Sequence, residues 1–86
     1  MNEITVDEFV EFIKKNRKAL HRKTDNGFVN TKVTVNRRTN LFTIDGKKRN
    51  LYGYRYHEYY DGTFKGVHFR TNGFPLGNDY EGVLAI

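Results

Sequence analysis

The apolar residues of this sequence change period once, at Asp25-Asn26-Gly27, and that change constrains the chain to an α+β fold. Before it, Val6, Phe9, Val10, Ile13 and Leu20 recur at about 3.6-residue spacing, with Phe12 widening the same stripe. Thr5-Val6-Asp7-Glu8 has the T-x-x-E spacing of a capping box, in which the hydroxyl and the carboxylate satisfy each other's backbone N–H groups. The spacing predicts one amphipathic helix from Val6 to about Arg22. Acids in its first turns and bases in its last complement the helix dipole.

After the turn the period is 2, with many β-branched and aromatic residues. Val29, Thr31, Val33 and Val35 fall on one side of a first strand. A four-residue loop, Arg37-Arg38-Thr39-Asn40, would set Val35 opposite Phe42 and Val33 opposite Ile44, which keeps the apolar set on one face. Asp45-Gly46 marks the next reversal. A two-residue turn there would oppose Phe42 to Arg49, so a longer loop through Lys47-Lys48-Arg49-Asn50 is expected. The third strand, Leu51 to Tyr60, meets a tight turn at Asp61-Gly62. That register pairs Tyr56 with Val67, Tyr54 with Phe69 and Glu58 with Lys65. Phe74 to Asp79 reads as an irregular loop, and Val83 to Ile86 as a short final strand. The expected architecture is one domain over residues 1–86, an N-terminal amphipathic helix packed on an antiparallel β-meander of four to five strands.

A chain of 86 residues buries roughly 60% of its unfolded surface, enough for one modest core. With seven Phe, six Tyr and no Trp, rings must supply much of it. The absence of Cys excludes disulfides, thiolate metal ligands and Cys nucleophiles, and fits a reducing, cytoplasmic setting. There is no Ser, which excludes serine catalysis. No P-loop and no G-x-G-x-x-G spacing appear among the glycines, and no cofactor is implied. The N-terminus shows no secretory pattern, and no segment is long enough to span a bilayer.

Charge is distributed unevenly. From Phe12 to Arg55 thirteen basic residues stand against Asp25 and Asp45, a net of +11, while the rest of the chain sums to −6. Such a field attracts polyanions. If Tyr54, Tyr56, Val67 and Phe69 face the core, the opposite face of their hairpin carries Arg55, His57, Tyr59, Phe64, His68 and Arg70. Rings alternating with cations suit single-stranded nucleic acid, where bases stack and phosphates meet charge. A two-stranded ribbon also fits a duplex major groove, where Arg55 or Arg70 could read guanine. Equally, that face could pack under the helix or the C-terminal loop, or form a homodimer contact. Arg37 and Arg38 in one loop, and Lys47, Lys48 and Arg49 in the next, are of the types that contact phosphate oxygens, as is the run Lys14 to Lys18.

The expected register offsets His57 and His68 by two positions on one face, with no carboxylate of fitting spacing, so no metal site is expected. His57 and Glu58, adjacent in a strand, point to opposite faces and cannot act together. A ribonuclease-like use of His57 and His68, with Arg55 or Arg70 stabilising a phosphorane, needs no metal. Two functions fit these signals: a non-enzymatic nucleic-acid-binding accessory protein, for DNA or RNA, or a small inhibitor of phage or mobile-element type that binds a host nucleic-acid-processing or defence protein. The partner is then nucleic acid or an acidic protein surface.

Overall fold

The computed structural model describes residues 2–72 and 81–86. In chain order the elements are β1 (Glu3–Ile4), α1 (Val6–Lys15), β2 (His21–Thr24), β3 (Gly27–Asn30), β4 (Val33–Asn36), β5 (Leu41–Ile44), β6 (Lys47–Asn50), a 3₁₀ turn (Leu51–Gly53), β7 (Tyr54–Asp61), β8 (Phe64–Thr71) and β9 (Glu81–Ala85). The α+β class holds, but the four-to-five-strand meander does not. Among the described residues nine strands form two antiparallel sheets, one ordered β1-β7-β8-β9-β2-β3 and the other β4-β5-β6. The region from Phe74 to Asp79, expected to be an irregular loop, lies outside the described residues.

Four local events make the difference. The helix starts as expected, with Thr5 Oγ1 accepting from the Glu8 amide at 3.0 Å and a Glu8 carboxylate oxygen accepting from the Thr5 amide at 2.8 Å. It ends at Lys15, seven residues short of Arg22. After Ile13 the next stripe positions are Asn16 and Arg17, so nothing apolar continues the buried face. Asn16 closes the helix by donating both its amide (3.1 Å) and its side chain (2.9 Å) to the Phe12 carbonyl. His21 to Thr24, of which His21 and Arg22 were expected at the end of the helix, is thereby free to pair with β3 across the turn at Asp25-Asn26.

The long first strand breaks at Thr31-Lys32. Asp45 takes over the hydrogen bonding there: its carboxylate accepts from Thr31 Oγ1 (2.9 Å) and the Lys32 amide (3.0 Å), and its own amide donates to the Lys32 carbonyl (2.8 Å). The halves on either side join different sheets. The β4–β5 hairpin has the expected register, with Val33 opposite Ile44 and Val35 opposite Phe42. Asp45-Gly46 then makes the tight turn that was rejected on the sequence, with φ of 50° and 87°, both positive as a type I′ turn requires. Lys47 to Asn50 is therefore a strand, and Phe42 does face Arg49. Arg49 is half-buried there and its guanidinium donates to Tyr54 Oη at 3.3 Å, so a long side chain accommodates the charge opposite Phe42.

In the β7–β8 hairpin the turn is Gly62-Thr63, one residue later than expected, with Gly62 at φ 58°. Tyr56 pairs with Phe69, Tyr54 with Thr71, Glu58 with Val67 and Tyr60 with Lys65. A slip of two positions preserves which side chains share a face. Tyr56, Val67 and Phe69 are accordingly buried. β9 begins two residues before the expected strand and lies between β8 and β2.

One core joins both sheets through the helix. Phe9 is fully buried, stacked on Tyr56 of the large sheet at 4.2 Å and edge-on to Phe42 of the small one at 5.3 Å. Phe42 also meets Phe69 edge-on at 5.6 Å. Val10, Ile13, Leu20, Leu51 and Leu84 complete the cluster. Each such side chain contributes roughly 1.5–3 kcal/mol by leaving water.

Candidate nucleic-acid interface

The ten candidate residues divide between the two sheets. Arg55, His57, Tyr59, His68 and Arg70 do share one face of the β7–β8 hairpin, on the side away from the helix, as alternation required. That face is concave. Phe28 of β3 stacks on Phe64 of β8 with centroids 4.0 Å apart, and its ring lies 6.2 Å from that of Tyr59 on β7. In a flat sheet β3 and β7 would be about 19 Å apart, four strand spacings, so the sheet must coil around this cluster. His21 meets Phe64 edge-on at 5.6 Å and the Lys23 ammonium sits 5.7 Å from the Tyr59 ring centre. The rings on this face are therefore half-buried against one another, a second small core that the alternation pattern alone did not reveal.

Its charges are largely compensated. Glu3 of β1 takes both Arg55 donors at 3.2 Å. That hydrogen bond, with the guanidinium charge behind it, holds the Glu3 carboxyl below its ordinary value and raises Arg55. His68 Nε2 lies 3.0 Å from a Glu81 carboxylate oxygen of β9. Tyr59 donates to Asp61 at 3.1 Å. Arg70 is exposed, with Arg55 and Glu81 as its cross-strand neighbours. His57 and His68, expected two positions out of step, are directly opposite each other. Beside His68 is a cavity of about 420 Å³ bordered by Lys23, Thr24, Tyr59, Glu81 and Val83.

The three-stranded sheet is different. Arg37 is bound to Asp7 at 2.7 Å, to Asn40 at 3.1 Å and to Tyr52 Oη at 3.3 Å, and the Tyr52 bond is the main reason its guanidinium is raised. Arg49 lies on the core side of β6. Arg38, Lys47 and Lys48 are exposed. Lys48 stands in an outward row with Thr34 and Thr43, whose hydroxyls hydrogen-bond each other, and Asn36, Leu41 and Asn50 complete that face, which carries no carboxylate. Lys32, at the Asp45 turn, adds a further exposed cation.

Of these, Thr34, Thr43 and Lys32 were missed as site residues, whereas Asn36 and Asn50 were expected to contact phosphate from loops. Their signal was present in the alternation of residues 33–50, once β6 is recognised as a strand. Asn36 and Asn50 also serve the backbone: Asn36 accepts from the Arg38 and Thr39 amides, and Asn50 from the Tyr52 amide. Among the described residues no group of three or more His, Asp or Glu could hold a metal ion, and no helix is long and apolar enough to cross a membrane. No family model, curated protein or solved structure matches the chain.

Proposed function

We propose that this protein is a nucleic-acid-binding module whose three-stranded sheet meets the phosphate backbone. The observation that carries this reading is the carboxylate-free outward face of β4–β6, with Lys48 in its centre row and Arg38, Lys47 and Lys32 around it. Hydroxyls, amides and cations are the groups that contact phosphate and sugar oxygens. The span from Lys32 to Arg49 holds six cations against Asp45 alone, which supports an electrostatic attraction that is independent of sequence. The hairpin residues Arg55, His57, Tyr59, His68 and Arg70 form a second contact surface, of which exposed Arg70 is the cation best placed for phosphate.

The test is a titration of a fluorescent oligonucleotide at several salt concentrations. Log affinity should fall linearly with log salt, with a slope of roughly 0.7 per phosphate neutralised for a single strand and 0.9 for a duplex. R38A/K47A/K48A should weaken binding at ~50 mM salt more than tenfold and lower the slope by about two to three phosphate contacts, with an unchanged fold. No binding of wild type at ~50 mM salt ends the proposal. If R70A weakens binding and the triple variant does not, the interface is the hairpin.

A second reading, a small inhibitor protein that docks on a nucleic-acid-processing or defence enzyme, draws on exposed Tyr52 and Tyr60, which are 55% and 70% accessible. Tyr is favoured at protein hot spots. Recovery of one stoichiometric protein that survives nuclease and ~0.5 M salt would favour it, because exposed ion pairs are heavily screened there.

A further inference from the structure

We infer that His57 and His68 form a metal-independent ribonuclease site on the concave face of the six-stranded sheet. The inference rests on the nucleic-acid reading above, because single-stranded RNA is the substrate. Directly opposed strand residues carry their Cβ atoms about 4.5–5.5 Å apart, so the two imidazoles can address one phosphodiester from neighbouring strands. The strands that carry or flank the pair each contribute a charged group to the face, Glu3 from β1 opposite His57, Arg55 beside it on β7, Arg70 on β8 and Glu81 from β9 on His68, and across the adjoining cavity stand Lys23 of β2 and Asp25 of the following turn.

The roles follow from the partners. Glu81 holds His68 through Nε2 at 3.0 Å, which in the neutral ring fixes the proton there and leaves Nδ1 as the acceptor. His68 is then the general base. His57, directly across the hairpin from His68 and next to Glu3 in the β1–β7 ladder, is left to act as the acid. As His68 Nδ1 removes the 2′-hydroxyl proton, O2′ bonds to phosphorus and the P–O5′ bond breaks. The departing O5′ takes its proton from His57. The products are a 2′,3′-cyclic phosphate and a 5′-hydroxyl, with protons balanced and nothing oxidised. Arg70, one pair along the same face, donates to the non-bridging oxygens as charge accumulates on them. The adjoining cavity, with the Tyr59 ring and Lys23 at its border, accepts the base next to the scissile bond.

The test uses a ~20-nucleotide RNA in EDTA, with the 2′-deoxy oligomer of the same sequence as binding probe. Wild type should cut the RNA, leave cyclic-phosphate ends by mass spectrometry, and show a bell-shaped pH dependence, one limb for each imidazole. His57→Gln and His68→Gln should each lose at least about 100-fold in rate, far more than the few-fold that either loses in binding the 2′-deoxy probe, which the three-stranded sheet still holds. Glu58→Gln, on the opposite face of β7, should cut normally. Two results overturn the inference: no cleavage above the protein-free control between pH 5 and 8, or cleavage undiminished in both histidine variants, which marks a contaminant. If the 2′-deoxy probe binds and RNA is not cut, this site falls and the binding function stands. If the probe itself does not bind, the binding function falls first.

Discussion

Tyr56 takes a hydroxyl into the centre of the aromatic core and satisfies it with one bond, to the Leu51 carbonyl at 2.6 Å. Burial, and secondarily the neighbouring Tyr54, push its ionisation well above the usual phenol range. Folded and unfolded states then differ in proton binding only once the unfolded phenol ionises. The contribution is whole below the ordinary value of 10.0 and is lost as pH rises beyond it toward the raised folded value. Urea midpoints should therefore decline above about pH 10, and Tyr56→Phe should flatten that decline. At neutral pH the same variant should lose ~1–2 kcal/mol, because the buried Leu51 carbonyl is left without its donor. Tyr56→Ala should lose ~3–5 kcal/mol through the cavity beside Phe9. The burial of Tyr56 was readable from simple alternation. Its stacking on Phe9 was not, because that contact depends on how the helix lies across the sheet.

Elements were legible where local chemistry and global packing agree. The capping box at Thr5, the β4–β5 register and the sidedness of β7–β8 all follow from short-range rules that tertiary contacts reinforce. Expectation failed where two rules competed. At Asp45-Gly46 the preference of Asp-Gly for a type I′ turn outweighed the opposition of Phe42 and Arg49, so a basic loop was expected where a basic edge strand exists. An edge strand rich in Lys and Arg also discourages further strand addition. β9 depends on a different constraint. Gly66 of β8 lies against it so closely that a Cβ would stand 2.0 Å from the Leu84 carbonyl oxygen and 2.6 Å from the Ala85 Cα. Those are backbone atoms and cannot swing aside. Gly66→Ala should force β8 from β9 and destabilise by at least ~3 kcal/mol, the upper end for an overpacked site, as a lower thermal midpoint would show. A smaller loss would mean that the two strands separate more easily than this packing implies.

At the scale of the molecule, the two sheets are held by the shared aromatic core and by Asp45. Its carboxylate binds Thr31 and Lys32 in the connection between sheets and Arg22 of β2 at 2.9 Å. The Lys32 amide, then the Thr31 hydroxyl, hold that carboxyl below its ordinary value, so its contribution is present above the usual carboxylate range and lost as pH falls through the lowered folded value. Asp45→Ala should cost ~1–2 kcal/mol, discounted for an exposed site, while Asp45→Asn tolerates the positive φ and should lose less. Both should show a weaker stability loss on acidification than wild type. The charge excess of the middle of the chain was legible from composition, but its allocation was not. Which cations are spent on Glu3, Asp7 and Asp45 and which face outward depends on contacts 23 to 52 residues apart. The central place of β9 has a temporal consequence. It joins the β7–β8 hairpin to the β2–β3 hairpin, yet it follows every other strand in chain order. During synthesis the two halves of the large sheet have no ladder between them until β9 has left the ribosome. The rate of folding is then governed by late, non-local pairing on the millisecond-to-second scale of sheet-rich proteins, and the β8 and β2 edges stay open to wrong partners until that strand inserts.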